Sequence, residues 1–414
     1  MKILHLTTSF VQQSAGYRLH RGLINLGLDS HVLVGFKGVN DSTVHGAESS
    51  WTNKAANLKN LVDQLPVRLY PQRTGLIFSP SIVPDRMISK IDKFNPSIVH
   101  LHWICGGLIR IETLKKIKRP IVWTLHDSWA FTGGCHIPYN CKNYHENCGK
   151  CPTLKSKTDH DLSRFILLRK KKSWQDLGIT IVTPSTWLRD CVINSNLFAN
   201  SRVEVIPNGI DVIQFKPIDK NFARRRLSLP NDKKIILFGA INSTSDPNKG
   251  FKYLKQSLCY LKEQKILNNT DLVIFGGGES IDIQELGFKV HSKGRIHDDD
   301  TLKLLYSAAD VFVVPSLSEN LPNTILESLA CGTPCVAFNI GGIPNLIDHK
   351  NNGYLASPFN SVDFAMGIQW VLSDEKRAKI LSSNSREKIL KEFNIVNIAY
   401  RYGELYNSIC DCVQ

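Results

Sequence analysis

Short apolar runs recur along this chain, and polar turns and helical patterns separate them. The N-terminal part opens with a strand pattern at Ile3–Leu6, a helical pattern that ends at Gly27, and a second strand pattern at His31–Gly35. A strand–helix–strand opening of this kind is typical of a doubly wound parallel sheet. A similar opening begins again at Lys234–Gly239, so the sequence predicts an α/β protein with two such sheets.

Length and composition fit this interpretation. At 414 residues the chain is longer than one typical core, and its 42% hydrophobic and 21% charged content is that of a globular protein. It has no run of 18 apolar residues, and Met1–Leu6 is too short for the apolar part of a signal peptide. We therefore expect a cytoplasmic protein.

The formal net charge of +14 favours anionic partners. Nucleotide diphosphates, anionic lipid surfaces and nucleic acids are the three classes that such a charge attracts. The basic runs, such as Arg169–Lys172, are also typical of solvated helix faces. We expect the protein to act without nucleic acid and to contact an anionic membrane surface.

The segment Ser316–Leu321 is the strongest candidate for a ligand site. It follows an apolar strand pattern at Val311–Pro315 and precedes a helix that starts near Pro322 and stops at Gly332. Ligands bind where strands end and helices begin, and the first amides of a helix favour phosphate. The predicted phosphate site comprises the helix-start residues Asn320, Leu321, Pro322 and Asn323.

Two carboxylates bracket this predicted phosphate site. Glu319 lies in the loop, and Glu327 lies just over one turn inside the helix. Because a phosphate repels carboxylates, we expect both to bind hydroxyl groups, one on a sugar and one on a ribose. An ordinary strand–loop–helix with two solvated glutamates explains the same residues without a ligand.

The spacing of these two glutamates resembles the E-x7-E motif of retaining glycosyltransferases with the GT-B fold. The resemblance continues through Glu327–Pro334, Gly341–Pro344 and Asn352–Leu355, and the family it indicates is glycosyltransferase family 4. It implies two Rossmann-like domains with an active-site cleft between them.

The same resemblance implies the domain limits. Val203–Asp211 resembles the segment in which family members cross from the first domain to the second. We therefore predict an acceptor-binding domain at 1–206 and a nucleotide-sugar domain at 207–388. Residues 389–414 are predicted to form a terminal helix that packs back on the first domain, as in the family.

Two predicted strands of the first domain end near histidine. One is Ser97–Trp103, and the other, Pro120–Leu125, is followed directly by His126 and Asp127. Asp127 is a candidate to orient a neutral imidazole at His126, while a structural histidine is the alternative. Trp123–Trp129 resembles the active-site histidine segment of the family, which implies that His126 contacts the transferred sugar.

Lys249 is the predicted partner of the departing diphosphate. It follows the first strand of the second domain, and its compact charge suits several phosphate poses. Family members commonly carry an arginine just after that strand, where this chain has Ala240. Arg295 is a candidate to supply the missing charge, because Gly294–His297 resembles the family loop near the nucleotide base.

Two glycines complete the predicted donor site. The first loop of the family is glycine-rich and meets the donor, whereas the first loop of this chain offers only Gly16. Gly277 lies in the turn after the strand pattern Leu272–Phe275. This turn lacks the G-x-G-x-x-G pattern, which argues against a nicotinamide cofactor.

A loop at 132–152 contains four cysteines. Cys135, Cys141, Cys148 and Cys151 end in a C-x2-C spacing that suits a structural zinc ion. Free thiols and disulfides are the alternatives, and the missing secretion signal argues against disulfides. The segment resembles one found in capsule and colanic-acid glycosyltransferases, and its position after His126 predicts a place on the acceptor side.

The resemblance implies a retaining, metal-independent hexosyltransferase of surface polysaccharide biosynthesis. It would move a sugar from a nucleotide-diphosphate sugar to a glycan or lipid-linked acceptor, with no cofactor required for transfer. Two alternatives stay open at this point: a GT-B-fold sugar-nucleotide epimerase or hydrolase, and a nucleic-acid binder that uses the cysteine cluster.

Overall fold

The computed structural model describes residues 1–11, 13–47, 58–267, 269–277 and 288–411. It divides into two compact units, Met1–Pro207 with Ile398–Gln414, and Asn208–Asn397. Each unit contains one sheet, and the strand pairings of both sheets are parallel. This confirms an α/β protein with two Rossmann-like domains.

The first unit contains a seven-stranded sheet in the order β3-β2-β1-β4-β5-β6-β7. Its strands are β1 (Lys2–Phe10), β2 (Asp29–Lys37), β3 (Val44–Ala47), β4 (Ile98–Leu101), β5 (Ile121–Thr124), β6 (Thr180–Thr183) and β7 (Val203–Val205). Its helices are α1 (Ala15–Asn25), α2 (Met87–Phe94), α3 (Leu162–Trp174) and α4 (Thr186–Ile193), with 3₁₀ turns at Leu65–Leu69, Ile111–Lys116, Trp129–Phe131 and Asn143–His145.

The second unit contains a six-stranded sheet in the order β10-β9-β8-β11-β12-β13. Its strands are β8 (Lys234–Gly239), β9 (Thr270–Phe275), β10 (Lys289–Ser292), β11 (Val311–Val314), β12 (Cys335–Phe338) and β13 (Gly353–Ala356). Its helices are α5 (Lys220–Arg226), α6 (Phe251–Glu263), α7 (Asp299–Ala308), α8 (Asn323–Ala330), α9 (Ser361–Leu372) and α10 (Glu375–Glu392), with 3₁₀ turns at Pro247–Lys249 and Ile343–Asn345. The last helix, α11, spans Ile395–Asp411.

Both sheets are buried on their two faces. In β8, Ile235 and Leu237 belong to one apolar cluster, and the alternating residues Ile236 and Phe238 belong to another. The strands of a doubly wound sheet read as continuous apolar runs for this reason, because successive side chains point to opposite, equally apolar faces.

Two predicted boundaries are wrong. Strand β1 runs to Phe10 rather than to Leu6, because its residues up to Phe10 continue to pair with β2. The predicted terminal helix from 389 is two helices, since Phe393 accepts from the amide of Ile210 and Ile395 donates back to the carbonyl of Ile210. These two hydrogen bonds interrupt the helical geometry after Glu392, and a new helix, α11, begins at Ile395.

Candidate active site

The loop at Ser316–Leu321 lies where the order of the second sheet reverses. Strand β8 comes first in this unit, and β9 lies on one side of it and β11 on the other. The loops that follow β8 and β11 therefore leave the carboxyl edge side by side, the usual ligand position in open α/β sheets. Lys249 comes from the first loop and Glu319 from the second, and Lys249 Nζ lies 2.7 Å from Glu319 Oε1. The sequence predicted both residues as ligand-binding groups but did not predict this ion pair.

The two loops are fixed to each other through the turn around Asn248. Its side-chain amide donates to the carbonyl of Ser318 at 3.0 Å, and its own carbonyl accepts from the amide of Leu317 at 2.8 Å. Gly250, at φ +68°, approaches Pro315 so closely that a Cβ atom would stand 1.8 Å from the carbonyl oxygen of Pro315. The spacing between Lys249 and Glu319 is thus set by backbone packing.

A third loop supports Glu319 from the other side. The amide of Gly342 donates to the carbonyl of Glu319 at 3.1 Å. Gly341, at φ +54°, leaves no room for a side chain, because a Cβ atom would stand 2.0 Å from that same carbonyl oxygen. The G-G-I-P segment that carried part of the family resemblance therefore holds the loop that contains Glu319.

Glu327 is buried inside α8 and is 3% exposed. Its Oε2 accepts a hydrogen bond from the hydroxyl of Tyr306 at 3.0 Å. Burial and the neighbouring Glu327 carboxylate raise the pKa of Tyr306 well above its ordinary value, so this hydroxyl keeps its proton and remains a donor. The interpretation of both glutamates as solvated surface residues is therefore wrong.

The four predicted helix-start residues lie together at the beginning of α8. Pro322 is the N-cap in extended conformation, so the helix starts at Asn323, one residue later than predicted. Asn208 donates to the carbonyl of Leu321 at 3.4 Å and to the Asn323 side chain at 3.2 Å. Asn208 lies in the Val203–Asp211 segment, which was predicted only to cross between the domains, so its contact with α8 was not predicted.

Ala240 lines a small void together with Lys249 and Glu319. Arg295 is not among the residues that line this void; its guanidinium donates to Asn242 at 3.0 Å. Its side chain lies against Gly277, where a Cβ atom would stand 3.0 Å from it. Gly277 and Arg295 are thus neighbours at the end of β9, and their donor-binding roles stay predictions.

Gly16 is buried in the first turn of α1. Ser14 caps this helix by accepting from the amide of Tyr17. The helix therefore begins before this glycine, and the donor-binding role of Gly16 stays a prediction.

His126 follows β5 and is partly exposed. Its Nε2 lies 3.1 Å from Nδ1 of His102, and Nε2 of His102 lies 2.9 Å from Nδ1 of His5. Desolvation lowers the pKa of His126 although Asp127 opposes this, and desolvation holds the pKa values of His102 and His5 well below the ordinary value. The three imidazoles are therefore neutral near pH 7.

Asp127 does not hold the imidazole of its neighbour. Its carboxylate accepts from His136 Nδ1 at 2.6 Å, from the Trp103 indole at 2.9 Å and from the amide of Trp129 at 2.8 Å. Burial opposes ionisation of Asp127, but His136 and these hydrogen bonds outweigh it and lower the pKa of the carboxyl. The suggestion that Asp127 orients His126 is therefore wrong, and His102 takes that place.

The four cysteines of the 132–152 loop surround one small void. All four are free thiols, and burial raises the pKa of Cys135 and Cys148. Among the described residues, three side chains are grouped closely enough to hold a metal ion. They are His5, His100 and His102, which lie outside this loop. The zinc site stays a prediction, which the metal content of the purified protein tests.

A buried lysine supports the start of this loop. Lys170 of α3 is fully buried and donates to the backbone carbonyls of Trp129 and Thr132. Its ammonium lies 3.6 Å from the centroid of the Trp129 ring, and desolvation lowers the pKa of Lys170 to about 7. The expectation that the Arg169–Lys172 run is a solvated face therefore fails at its second residue.

A cavity of about 720 Å³ lies at the carboxyl edge of the first sheet, where β1 and β4 are neighbours. Three cationic side chains line it, Lys59, Arg86 and Lys90. The acidic residue of this lining is Asp85, whose carboxylate accepts hydrogen bonds from the amides of Met87 and Arg110 and from the hydroxyl of Thr113. The sequence does not indicate this cavity, because its lining comes from segments that are distant in the chain, from Thr8 to Leu108.

An exposed apolar strip adjoins the cavity. Residues 58–63 are helical and lead into the 3₁₀ turn Leu65–Leu69. Four leucines at helical spacing are 51% to 80% exposed: Leu58, Leu61, Leu65 and Leu69. Among the residues that the structure describes, no helix is both long and apolar enough to cross a bilayer.

Two family models match the chain. The model described as Glycosyltransferase Family 4 matches residues 15–214, and the model described as Glycosyl transferases group 1 matches residues 219–388. Between them they cover most of the chain, in two segments that correspond to the two units.

Two relatives and one solved structure show the extent of the similarity. An uncharacterized glycosyltransferase of Methanocaldococcus jannaschii is 28% identical over 75% of this chain and 82% of its own length. A UDP-Gal:alpha-D-GlcNAc-diphosphoundecaprenol alpha-1,3-galactosyltransferase of Escherichia coli is 30% identical over 50% of this chain and 54% of its own length. The structure of Anabaena HepE in complex with UDP-glucose superposes with a TM-score of 0.64 at 18% identity, over 99% of this chain and 100% of HepE.

Proposed function

Because this chain belongs to glycosyltransferase family 4, we propose that it transfers a hexose-type sugar from a nucleotide-diphosphate sugar to a lipid-linked glycan with retention of configuration. The observation that carries the proposal is the Lys249–Glu319 ion pair in the loops that precede α8, together with the buried Glu327 within that helix. Surface polysaccharide assembly at the cytoplasmic side of a membrane is the proposed setting.

The donor is proposed to bind across this pair. A diphosphate at the first turn of α8 meets the helix amides and the Lys249 ammonium, which together take up the charge that develops on the leaving group. Lys249 then exchanges part of its contact with Glu319 for phosphate oxygens, and Glu319 turns its lone pairs to sugar hydroxyls. Glu327 accepts from the ribose hydroxyls. The UDP-glucose complex of the structurally similar HepE supports a donor of this class.

Same-face attack is the proposed route to retention. A double displacement needs a carboxylate free to act as nucleophile. Glu319 forms an ion pair at 2.7 Å and Glu327 is buried against Tyr306, so neither suits that role. In same-face attack the leaving diphosphate takes the acceptor proton, and the protein supplies positioning and charge. Lys249 and the amides of α8 supply that charge, so we propose that transfer needs no divalent cation.

The acceptor is proposed to be an amphiphilic diphosphate. The galactosyltransferase relative carries a diphosphoundecaprenol-linked acceptor in its name. In this chain, the three cations of the 720 Å³ cavity suit a diphosphate, and the adjoining leucine strip suits the surface of a bilayer. With the net charge of +14, these features support weak binding to anionic membranes.

One assay tests the proposed function. Nucleotide sugars are screened for release of the nucleoside diphosphate, with and without a sugar-diphosphopolyprenol acceptor, in EDTA. Acceptor-dependent release and an α-linked product from an α-linked donor are expected. Release that needs no acceptor would indicate a hydrolase, and an inverted product would contradict the proposed mechanism.

A further inference from the structure

The histidines of the first unit form a hydrogen-bonded chain that ends at His126. The chain starts at His5 of β1, passes through His102 after β4, and reaches His126 after β5, with N···N distances of 2.9 and 3.1 Å. The rings lie edge to edge and nearly coplanar, with centroids 5.2 and 5.4 Å apart and interplanar angles of 19° and 20°, as in-plane hydrogen bonds require. His5 and His102 are buried, whereas His126 is partly exposed, so the chain connects the core with the surface.

Neutral imidazoles in such a chain must share one direction of donation. Each neutral ring has one N–H donor and one acceptor nitrogen. If His5 donates from Nδ1, then His102 must donate from Nδ1 to Nε2 of His126, and His126 carries its proton on Nδ1. If the chain runs the other way, all three rings carry the proton on Nε2.

The surroundings of His5, at the buried end of the three hydrogen-bonded histidines, favour one of these two directions of donation. Nε2 of His5 is buried and has no hydrogen-bond partner among the described residues. If all three rings carry the proton on Nε2, this atom is an N–H without a partner. If His5 donates from Nδ1, this atom is an acceptor without a partner. Buried N–H groups without a partner are rarer than under-satisfied acceptors. The first direction is therefore favoured.

A metal ion is a weaker explanation of the cluster. His5, His100 and His102 offer nitrogens within 4.8 Å of one another. However, His100 already bonds Tyr406 at 2.7 Å and Thr124 at 2.8 Å through its two nitrogens. The His100 and His102 rings overlap, with centroids 4.3 Å apart at 34°, whereas the ligands of one ion direct their in-plane lone pairs at a common point.

We propose that His102, backed by His5, is a positioning residue that fixes His126 as the Nδ1–H tautomer. His126 then carries its hydrogen-bond donor on Nδ1 and its acceptor on Nε2, the nitrogen that faces His102. The consequence for catalysis rests on the proposed glycosyl transfer, but the tautomer itself does not. A neutral donor can orient a sugar oxygen without placing a second positive charge beside the substrate.

The tautomer is measured directly by long-range ¹H–¹⁵N correlation spectra of the full-length protein labelled on histidine. His126→Gln assigns the His126 signals by their loss. In the unsubstituted protein we expect Nδ1–H forms at His5, His102 and His126. His126 protonated on Nε2 would overturn the proposal whether or not the protein transfers sugar.

A pair of variants separates positioning from packing. His102→Phe keeps an aromatic ring at this position but removes both hydrogen bonds, so His126 should show mixed tautomers and kcat should fall roughly tenfold with an unchanged donor KM. Tyr406→Phe is the matched control, since it removes a buried 2.7 Å hydrogen bond from His100, outside the chain. An unchanged His126 spectrum in His102→Phe, or an equal loss of kcat in Tyr406→Phe, would refute the positioning role.

Discussion

The two units place different chemistry at the same topological position. At the reversal of strand order, the second sheet holds opposite charges, the Lys249–Glu319 pair at 2.7 Å. In the first sheet the corresponding strands are β1 and β4, and His5 within β1 and His102 just after β4 are neutral and joined by a hydrogen bond. A charged pair can respond to charge that develops on a leaving group, whereas neutral rings can orient hydroxyl groups without attracting a counter-ion. We propose that this difference separates two tasks, with leaving-group stabilisation in the second unit and positioning in the first.

The largest expected effect is acid instability of the first unit. Desolvation lowers the pKa of His100 to about 3 and that of His20 to about 4. Between the unfolded pKa of about 6.5 and these values, the unfolded chain binds more protons than the native one. Stability is therefore full above about pH 6.5 and falls as the pH drops, by about 1.4 kcal/mol per pH unit for each such histidine.

Urea unfolding at pH 7, 5.5 and 4.5, followed by tryptophan fluorescence, measures this slope. Six of the seven tryptophans belong to the span of the first unit, so the signal reports mainly on it. His100→Asn should reduce the slope, because one of the titrating groups is gone. If hydrogen exchange showed the second unit opening first at low pH, the comparison between the units would fail.

The second-largest expected effect is the fall in turnover when Lys249 is replaced. Lys249→Met removes the cation at the proposed diphosphate, and a charged hydrogen bond is worth roughly 1.5–3 kcal/mol, so kcat should fall by about ten- to a hundredfold. Lys220→Met is the matched control: it breaks another 2.7 Å ion pair of the same unit, with Asp310. Steady-state transfer rates measure the effect. Equal rates in the two variants would show that Lys249 does not contact the diphosphate.

Glu327→Gln is expected to act on binding more than on turnover. It keeps the shape of the side chain but weakens acceptance from ribose hydroxyls, so the donor KM should rise about tenfold. Tyr306→Phe, which removes only the 3.0 Å bond to Glu327, should have a smaller effect. Titration with the nucleoside diphosphate measures the affinity of both variants. A wild-type affinity in Glu327→Gln would contradict the proposed ribose contact.

The smallest effect concerns the leucine strip. The double variant Leu61→Ser, Leu65→Ser should lower partitioning onto anionic vesicles about tenfold at low salt, because it removes apolar area from the proposed bilayer contact. Ile213→Ser with Ile380→Ser, two exposed residues of the second unit, is the matched control. Flotation assays measure the bound fraction, and equal losses in both double variants would exclude the strip as the docking surface.

The sequence by itself determined the features that depend on local pattern. Apolar runs predicted most strands, and the apolar run before Ser316, together with Pro322 and Gly332, predicted the loop that holds Glu319 and the helix that holds Glu327. The segment around His126 predicted a histidine at the end of a strand, and β5 does end just before it. These features follow from chain periodicity and from motifs a few residues long, which need no knowledge of distant partners.

Tertiary structure decided which side chains meet. Lys249 and Glu319 are 70 residues apart, and His5 and His102 are 97 apart, so no local pattern indicates either contact. Burial of Lys170 within a basic run, and the choice of His136 over His126 as the partner of Asp127, likewise depend on packing between distant segments. Adjacent residues point in different directions along an extended chain, whereas parallel strands bring the ends of remote segments to one edge.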